Sequence, residues 1–169
     1  MGIEVKLADN SGLYLNAFQS QIEAALEAVG KQAETHAKNN LTAAGKVRHD
    51  NLRGNIAHKV RISEDAVYVG TNVEYAKYIE YGTGIHGDKP TGSGDKTWWV
   101  YVPGSDGGGK AKGKRYTKQE AFIRMKYLRD QGIDAWMTQG QKPTHFLKKA
   151  VMEHGQEYKQ IVKSILKNA

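Results

Sequence analysis

The chain has no cysteine. That excludes a disulfide scaffold, a thiolate metal site and a cysteine nucleophile together, and it suits folding in a reducing compartment. It also lacks any run near the roughly 18 apolar residues that a membrane helix needs. Its first residues, MGIEVKLADNSG, have no apolar stretch after basic residues, so no secretory signal is expected. Gly2 is not followed by the Ser or Thr of a myristoylation pattern, because Lys6 stands there. These absences predict a soluble intracellular product. Acidic residues are in deficit as well. Lys and Arg number 25 against 18 Asp and Glu, a net charge of +7 that favours a polyanionic neighbour.

What is present fits one α+β domain spanning 1–169. After an N-terminal segment at 1–12, Leu15, Phe18, Ile22, Leu26, Val29 and Ala33 recur every three or four residues. They predict a long amphipathic helix from Leu13 to about Asn40, capped by Asn10 or Ser11. Ile56, His58, Val60 and Ile62 alternate with Ala57, Lys59 and Arg61. With Ala66–Val69 they predict an antiparallel hairpin buried on one face. Thr71 and Glu74 have the spacing of a capping box, and Gly82 the position of a helix stop. A short helix is therefore expected after the hairpin, with Val73, Ala76 and Ile79 on its apolar flank. Thr97–Val102, Thr117–Gln131 and Ile133–Thr138 read as strand, helix and strand, able to pair their strands in parallel by a crossover. A last helix, capped by Thr144, carries Leu147, Val151, His154, Tyr158, Ile161, Val162, Ile165 and Leu166 as its buried stripe. The fold class is thus α+β, a small antiparallel sheet packed by N- and C-terminal helices.

The chemistry-bearing patterns are weak. Gly104–Lys110 matches the first seven positions of a P-loop, but Ala111 stands where the magnesium-binding hydroxyl belongs. The histidines fall at 36, 49, 58, 86, 145 and 154, and no two of them have the three- or four-residue spacing of a helical metal site. His58 and His154 read as packing residues. Glu74 and Glu80 are six apart, on nearly opposite sides of a helix, and cannot flank one bond. No catalytic, cofactor or metal residue is assigned, and no enzyme is expected. Trp98, Trp99 and Tyr101 beside Lys110, Lys112, Lys114 and Arg115 leave a second reading: a sequence-independent nucleic-acid-binding module.

Three blocks carry a family likeness. Val47–Ile56 contains Leu52-Arg53; Val69–Gly84 reads VGTNVEYAKYIEYGTG; and Lys142–Ala150 reads KPTHFLKKA. In order and spacing they resemble the tail-completion, or head–tail joining, proteins of long-tailed bacteriophages. The likeness covers residues 13–84 and 139–169 and departs at 85–138, which would be an insertion with its own strand–helix–strand module and loops. It implies a structural subunit forming a ring, usually sixfold, that closes the tail tube and joins it to the head connector. The implied partners are other copies of the chain, the tail tube protein and the connector, with non-specific contact to phage DNA and none to a membrane. The implied location is the virion neck, after assembly in the host cytoplasm. Tyr78, Glu80, Tyr81, Thr83 and Arg53 are the candidates for the assembly interface, because tyrosine buries much area while keeping a polar tip. Lys110, Lys112, Lys114 and Arg115 form the candidate basic loop toward DNA or a partner.

Overall fold

A computed structural model describes residues 11–45, 50–90, 94–103 and 114–167. Asn10 as a cap, the residues 47–49 that open the first likeness block, His49, the P-loop-like run, Lys110 and Lys112 lie outside them. The chain forms two compact units: Met1–Val73 with Phe146–Ala169, and Glu74–His145.

The first unit is built on one helix, α1, from Ser11 to Ala43. Its buried face is made of small residues, Ala25, Gly30, Ala33 and Ala37, with Leu41 at the end. Such a face lets neighbours approach closely. Leu15 and Phe18, expected in the buried stripe, are exposed, because the elements that pack on α1 meet its later turns. Those elements are β1 (Ile56–Arg61), β2 (Ala66–Thr71), α5 (Phe146–Met152) and α6 (Gly155–Leu166). A five-residue helix, α2 (Asp50–Gly54), leads into β1 and buries Leu52. Leu41, Leu52, Ile56 and Phe146 are the largest wholly buried side chains.

The hairpin has the expected alternation. Ile56, His58 and Val60 point inward and pair with Thr71, Val69 and Val67, while Ala57, Lys59 and Arg61 are exposed. His58 lies on the inner face and meets two carboxylates of α1, Glu34 at 2.7 Å and Glu27 at 3.1 Å. Those glutamates are seven residues apart, two turns along one face of the helix. Burial would lower the basicity of His58, but the hydrogen bonds and charges of Glu34 and Glu27 outweigh it and raise its pKa. Burial would likewise raise the pKa of Glu34, and contacts with Lys38 and His58 reverse this, leaving it lowered.

The single C-terminal helix read from the sequence is two helices. α5 ends at Met152 and α6 starts at Gly155, with His154 as its N-cap. The break redirects the stripe: Phe146 and Ala150 are buried, and Val151, expected inside, is 54% exposed. The Thr144 hydroxyl donates to the Ile79 carbonyl at 2.9 Å.

The second unit begins with α3 (Ala76–Glu80). The Thr71–Glu74 capping box does not form. Thr71 is held in β2 opposite Ile56, its hydroxyl accepts from Val73 N, and α3 starts with Tyr75 as an N-cap without a side-chain bond. The same T-x-x-E spacing does close a box at Thr117 and Glu120, where α4 (Lys118–Asp130) begins. β3 (Trp99–Tyr101) and β4 (Trp136–Thr138) pair antiparallel, Trp99 with Thr138 and Tyr101 with Trp136, correcting the parallel crossover. The reason lies in the returning chain. Tyr116 pairs with Trp98 before α4 starts, so the helix leaves from the beginning of β3. It then delivers β4 at the far end, and β4 must run back.

Two predictions follow from the packing on α1. A Cβ on Gly30 would lie 2.5 Å from His58 Cδ2 and 2.7 Å from Val67 Cγ2, and His58 cannot swing away without leaving its carboxylates. The overpacking cost of about 1–3 kcal/mol then exceeds the roughly 1 kcal/mol that Ala gains over Gly in a helix. Gly30→Ala should therefore lower the urea midpoint followed by far-UV circular dichroism. The second concerns pH. A raised His58 pKa stabilises the fold fully below its ordinary value of 6.5 and is lost as pH climbs through the raised value. The lowered Glu34 pKa works in the other direction, its contribution fading as pH falls below 4.5. Unfolding free energy should therefore be higher at about pH 5.5 than at about pH 8.5. His58→Gln should shrink that difference.

Candidate functional site

The segment with the most prepared surface is the turn from Tyr75 to Asp88 in the second unit. Tyr78 and Tyr81, three residues apart and so on one side of α3, are 50% and 56% exposed. Lys77 Nζ lies 5.2 Å from the Tyr78 ring centre. Tyr75 is half-buried, and Ala76 lies inside. Glu80 is also inside, only 4% exposed, so of the candidate interface residues in this turn it is the tyrosines that reach the surface. Thr83 is half-buried, and Arg53 is exposed on α2, in the other unit.

Backbone pairing fixes this turn. After α3, Gly82 takes a left-handed φ of 71°, the stop that its position predicts. Residues 79–85 then bond to the segment 139–145. Thr83 N donates to Gln141 O at 2.9 Å, Ile85 N to Gln139 O at 3.1 Å, and Thr144 N to Ile79 O at 3.0 Å. Gln141 N returns a bond to the Thr83 hydroxyl at 3.1 Å, and its side chain donates to Tyr78 O at 2.8 Å. His145 N completes the seam on Glu80 O at 3.1 Å. The seam leaves no room at Gly84, whose φ is 67°; a Cβ there would stand 1.9 Å from Gln139 O. The result is a pair of exposed tyrosines on a backbone already ordered, so a partner that meets them need not supply that ordering.

The basic loop is described only at its end. Arg115 lies over Trp99, 5.2 Å from its centre, and Lys114 over Tyr116 at 5.7 Å. On β3 and β4, Tyr101 stacks on Trp136 at 6.3 Å. A cation thus covers Trp99, one of the aromatic faces that the nucleic-acid reading needs for base stacking.

The histidines are more connected than their spacing along the chain indicates. In the first unit His36 of α1 stacks on His154, centres 3.4 Å apart and planes 7° from parallel. Glu157 Oε2 lies 2.9 Å from His36 Nε2 and 3.3 Å from His154 Nδ1. Gln32 Nε2 donates to Glu157 Oε1 at 2.6 Å. Burial would raise the Glu157 pKa, but the bonds from His36 and Gln32 and the nearby imidazoles lower it. A search for His–His spacings misses this group, since its two histidines come from different helices. The signal available in the sequence was His154-x-x-Glu157, one helical turn. Among the described residues no helix is long and apolar enough to cross a membrane.

Fold and site together define a small α+β chain with a long N-terminal helix, a one-sided hairpin and a rigid, tyrosine-bearing turn. Residues 6–82, just short of half the chain, match a family model described as "Bacteriophage HK97-gp10, putative tail-component". This agrees with the likeness to tail-completion proteins and supports a structural role in a phage tail; the block at Lys142–Ala150 lies beyond the matched residues. No curated protein and no solved structure matches the chain.

All three tryptophans, Trp98, Trp99 and Trp136, belong to the second unit, so their fluorescence reports on it selectively. Gly84→Ala should lower the urea midpoint of that signal. The left-handed backbone alone costs a non-glycine residue about 1–2 kcal/mol, and the Gln139 carbonyl must also move.

Proposed function

We propose that the protein is a tail-completion subunit without catalytic activity. Copies of it form a ring, sixfold by the family likeness, that closes the tail tube and joins it to the head connector at the virion neck. Assembly takes place in the host cytoplasm. The observation that carries this reading is the family match over residues 6–82, which ends at the tyrosine turn. The turn suits such a role because aromatic anchors on an ordered backbone are the residues that dominate interfaces. Thr83 would lie at the margin of the contact, Arg53 is a separate candidate on the other unit, and buried Glu80 supports the turn from within.

A second reading keeps the chain as a sequence-independent nucleic-acid module. It is favoured by the basic run Lys110, Lys112, Lys114 and Arg115, close in sequence to the aromatic strand that carries Trp98, Trp99 and Tyr101. On the leading reading those lysines touch DNA only in passing through the ring.

The test mixes the purified chain with its tail tube protein and images the product by electron microscopy. Discs or capped tubes are expected. The Tyr78→Ser/Tyr81→Ser variant should keep its circular dichroism spectrum and lose assembly by about 30-fold or more in concentration, the loss of one interface hot spot. A chain that stays monomeric beside uncapped tubes would end the proposal. DNA retardation at physiological salt, lost on neutralising Lys110, Lys112, Lys114 and Arg115, would put the second reading in its place.

A further inference from the structure

The group formed by His36, His154 and Glu157 is independent of the tyrosine turn and of the proposed assembly role. It lies wholly in the first unit, where α1 supplies His36 and Gln32 and the start of α6 supplies His154 and Glu157. One donor atom from each of His36, His154 and Glu157 falls within a sphere of contact in which all pairs are 4.8 Å or closer. The two carboxylate–imidazole distances, 2.9 and 3.3 Å, are close to the edge of a tetrahedron about an ion bonded at roughly 2.0–2.1 Å, which is about 3.3 Å.

The surroundings also resemble those of a metal centre. Side-chain exposures of 17% for His36, 29% for His154 and 38% for Glu157 put the group at a half-buried site that water and ions can enter. Gln32 holds the second carboxylate oxygen, the kind of outer contact that orients a ligand. The Tyr158 ring closes one side, 6.2 Å from His36 and 6.3 Å from His154, and its hydroxyl is engaged by the Ala150 carbonyl.

We propose that His36, His154 and Glu157 bind a first-row divalent cation of the zinc class, with water in the remaining position. Two imidazoles and one carboxylate suit Zn²⁺, Co²⁺ or Ni²⁺ better than Mg²⁺, which prefers oxygen ligands alone. The ion would join α1 to α6 by bonds that persist where a hydrogen-bonded tie would fray. Loading has one geometric requirement. Lone pairs of parallel rings do not converge on one point, so one imidazole must turn about its Cβ–Cγ bond and the stack must open.

The test uses the full chain without a polyhistidine tag, stripped with chelator and titrated with zinc chloride by calorimetry. One ion per chain should bind, thermal unfolding should shift upward, and magnesium at the same concentration should do neither. Zinc should also shift the imidazole ring proton resonances of His36 and His154 out of their stacked positions. His36→Gln, His154→Gln and Glu157→Gln should each weaken binding at least tenfold, the scale on which even outer-contact losses are felt. His86→Gln, an exposed histidine of the other unit, should bind as the parent does. Should a variant fail to fold, cobalt bound to the parent chain still decides, since an intense visible band marks a tetrahedral nitrogen–oxygen site. An absent heat and unchanged unfolding with zinc would show the cluster to be a hydrogen-bonded tie only. Binding that survives in the His36→Gln/His154→Gln variant would equally overturn the assignment.

Discussion

The first unit depends on how closely other elements can approach one helix. α1 presents Ala25, Gly30, Ala33 and Ala37 inward, and a face of small side chains lets β-branched and aromatic residues of its neighbours reach the helix backbone. At Gly30 the approach is closest, where His58 and Val67 occupy the space that a Cβ would fill. A glycine in mid-helix costs roughly 0.5–1 kcal/mol relative to alanine. Its neighbours return that through contact, and through the ion-paired hydrogen bonds that His58 makes with Glu27 and Glu34. The same helix is tied elsewhere to the C-terminal helices, by Gln32 and His36 to Glu157 and by Asn40 to the Phe146 carbonyl. Chain segments more than a hundred residues apart thus meet on one continuous rod.

The second unit holds together on a different principle. Its buried residues include small ones, Ala76, Gly84, Ala121 and Ala135. Much of its definition comes from backbone bonds between irregular segments, the seam from Ile79 to Ile85 against Gln139 to His145. Buried backbone groups need partners whether or not they belong to regular strands, and here two glycine-containing stretches provide them for each other. Side chains outside the seam are then free to face outward. Phe122, Ile123, Tyr127 and Trp136 are exposed in this unit as well as Tyr78 and Tyr81.

Rigid backbone and exposed aromatic side chains are compatible demands, and a tail component needs both. On the proposed assembly role, subunits that meet in one register gain from surfaces whose order is settled before contact. In the tyrosine turn that order comes from backbone hydrogen bonds of the seam, not from the exposed rings.

The sequence by itself determined whatever follows from local periodicity and local stereochemistry. The long helix, the one-sided hairpin with its inward His58, the stop at Gly82 and the α+β class were all legible, because each is written in residues a few positions apart. The family likeness was legible for the same reason, as short blocks in order. Only the tertiary structure decided the rest. Whether a T-x-x-E motif caps a helix depended on whether its threonine was already paired in a strand, as Thr71 is and Thr117 is not. The direction of β4 depended on where Tyr116 returned the chain. The break at His154, the burial of Glu80 and the meeting of His36 with His154 and Glu157 depended on elements brought together from distant parts of the chain. A spacing pattern encodes which face of an element is apolar, but the partner that covers that face is chosen by the packing of the whole unit.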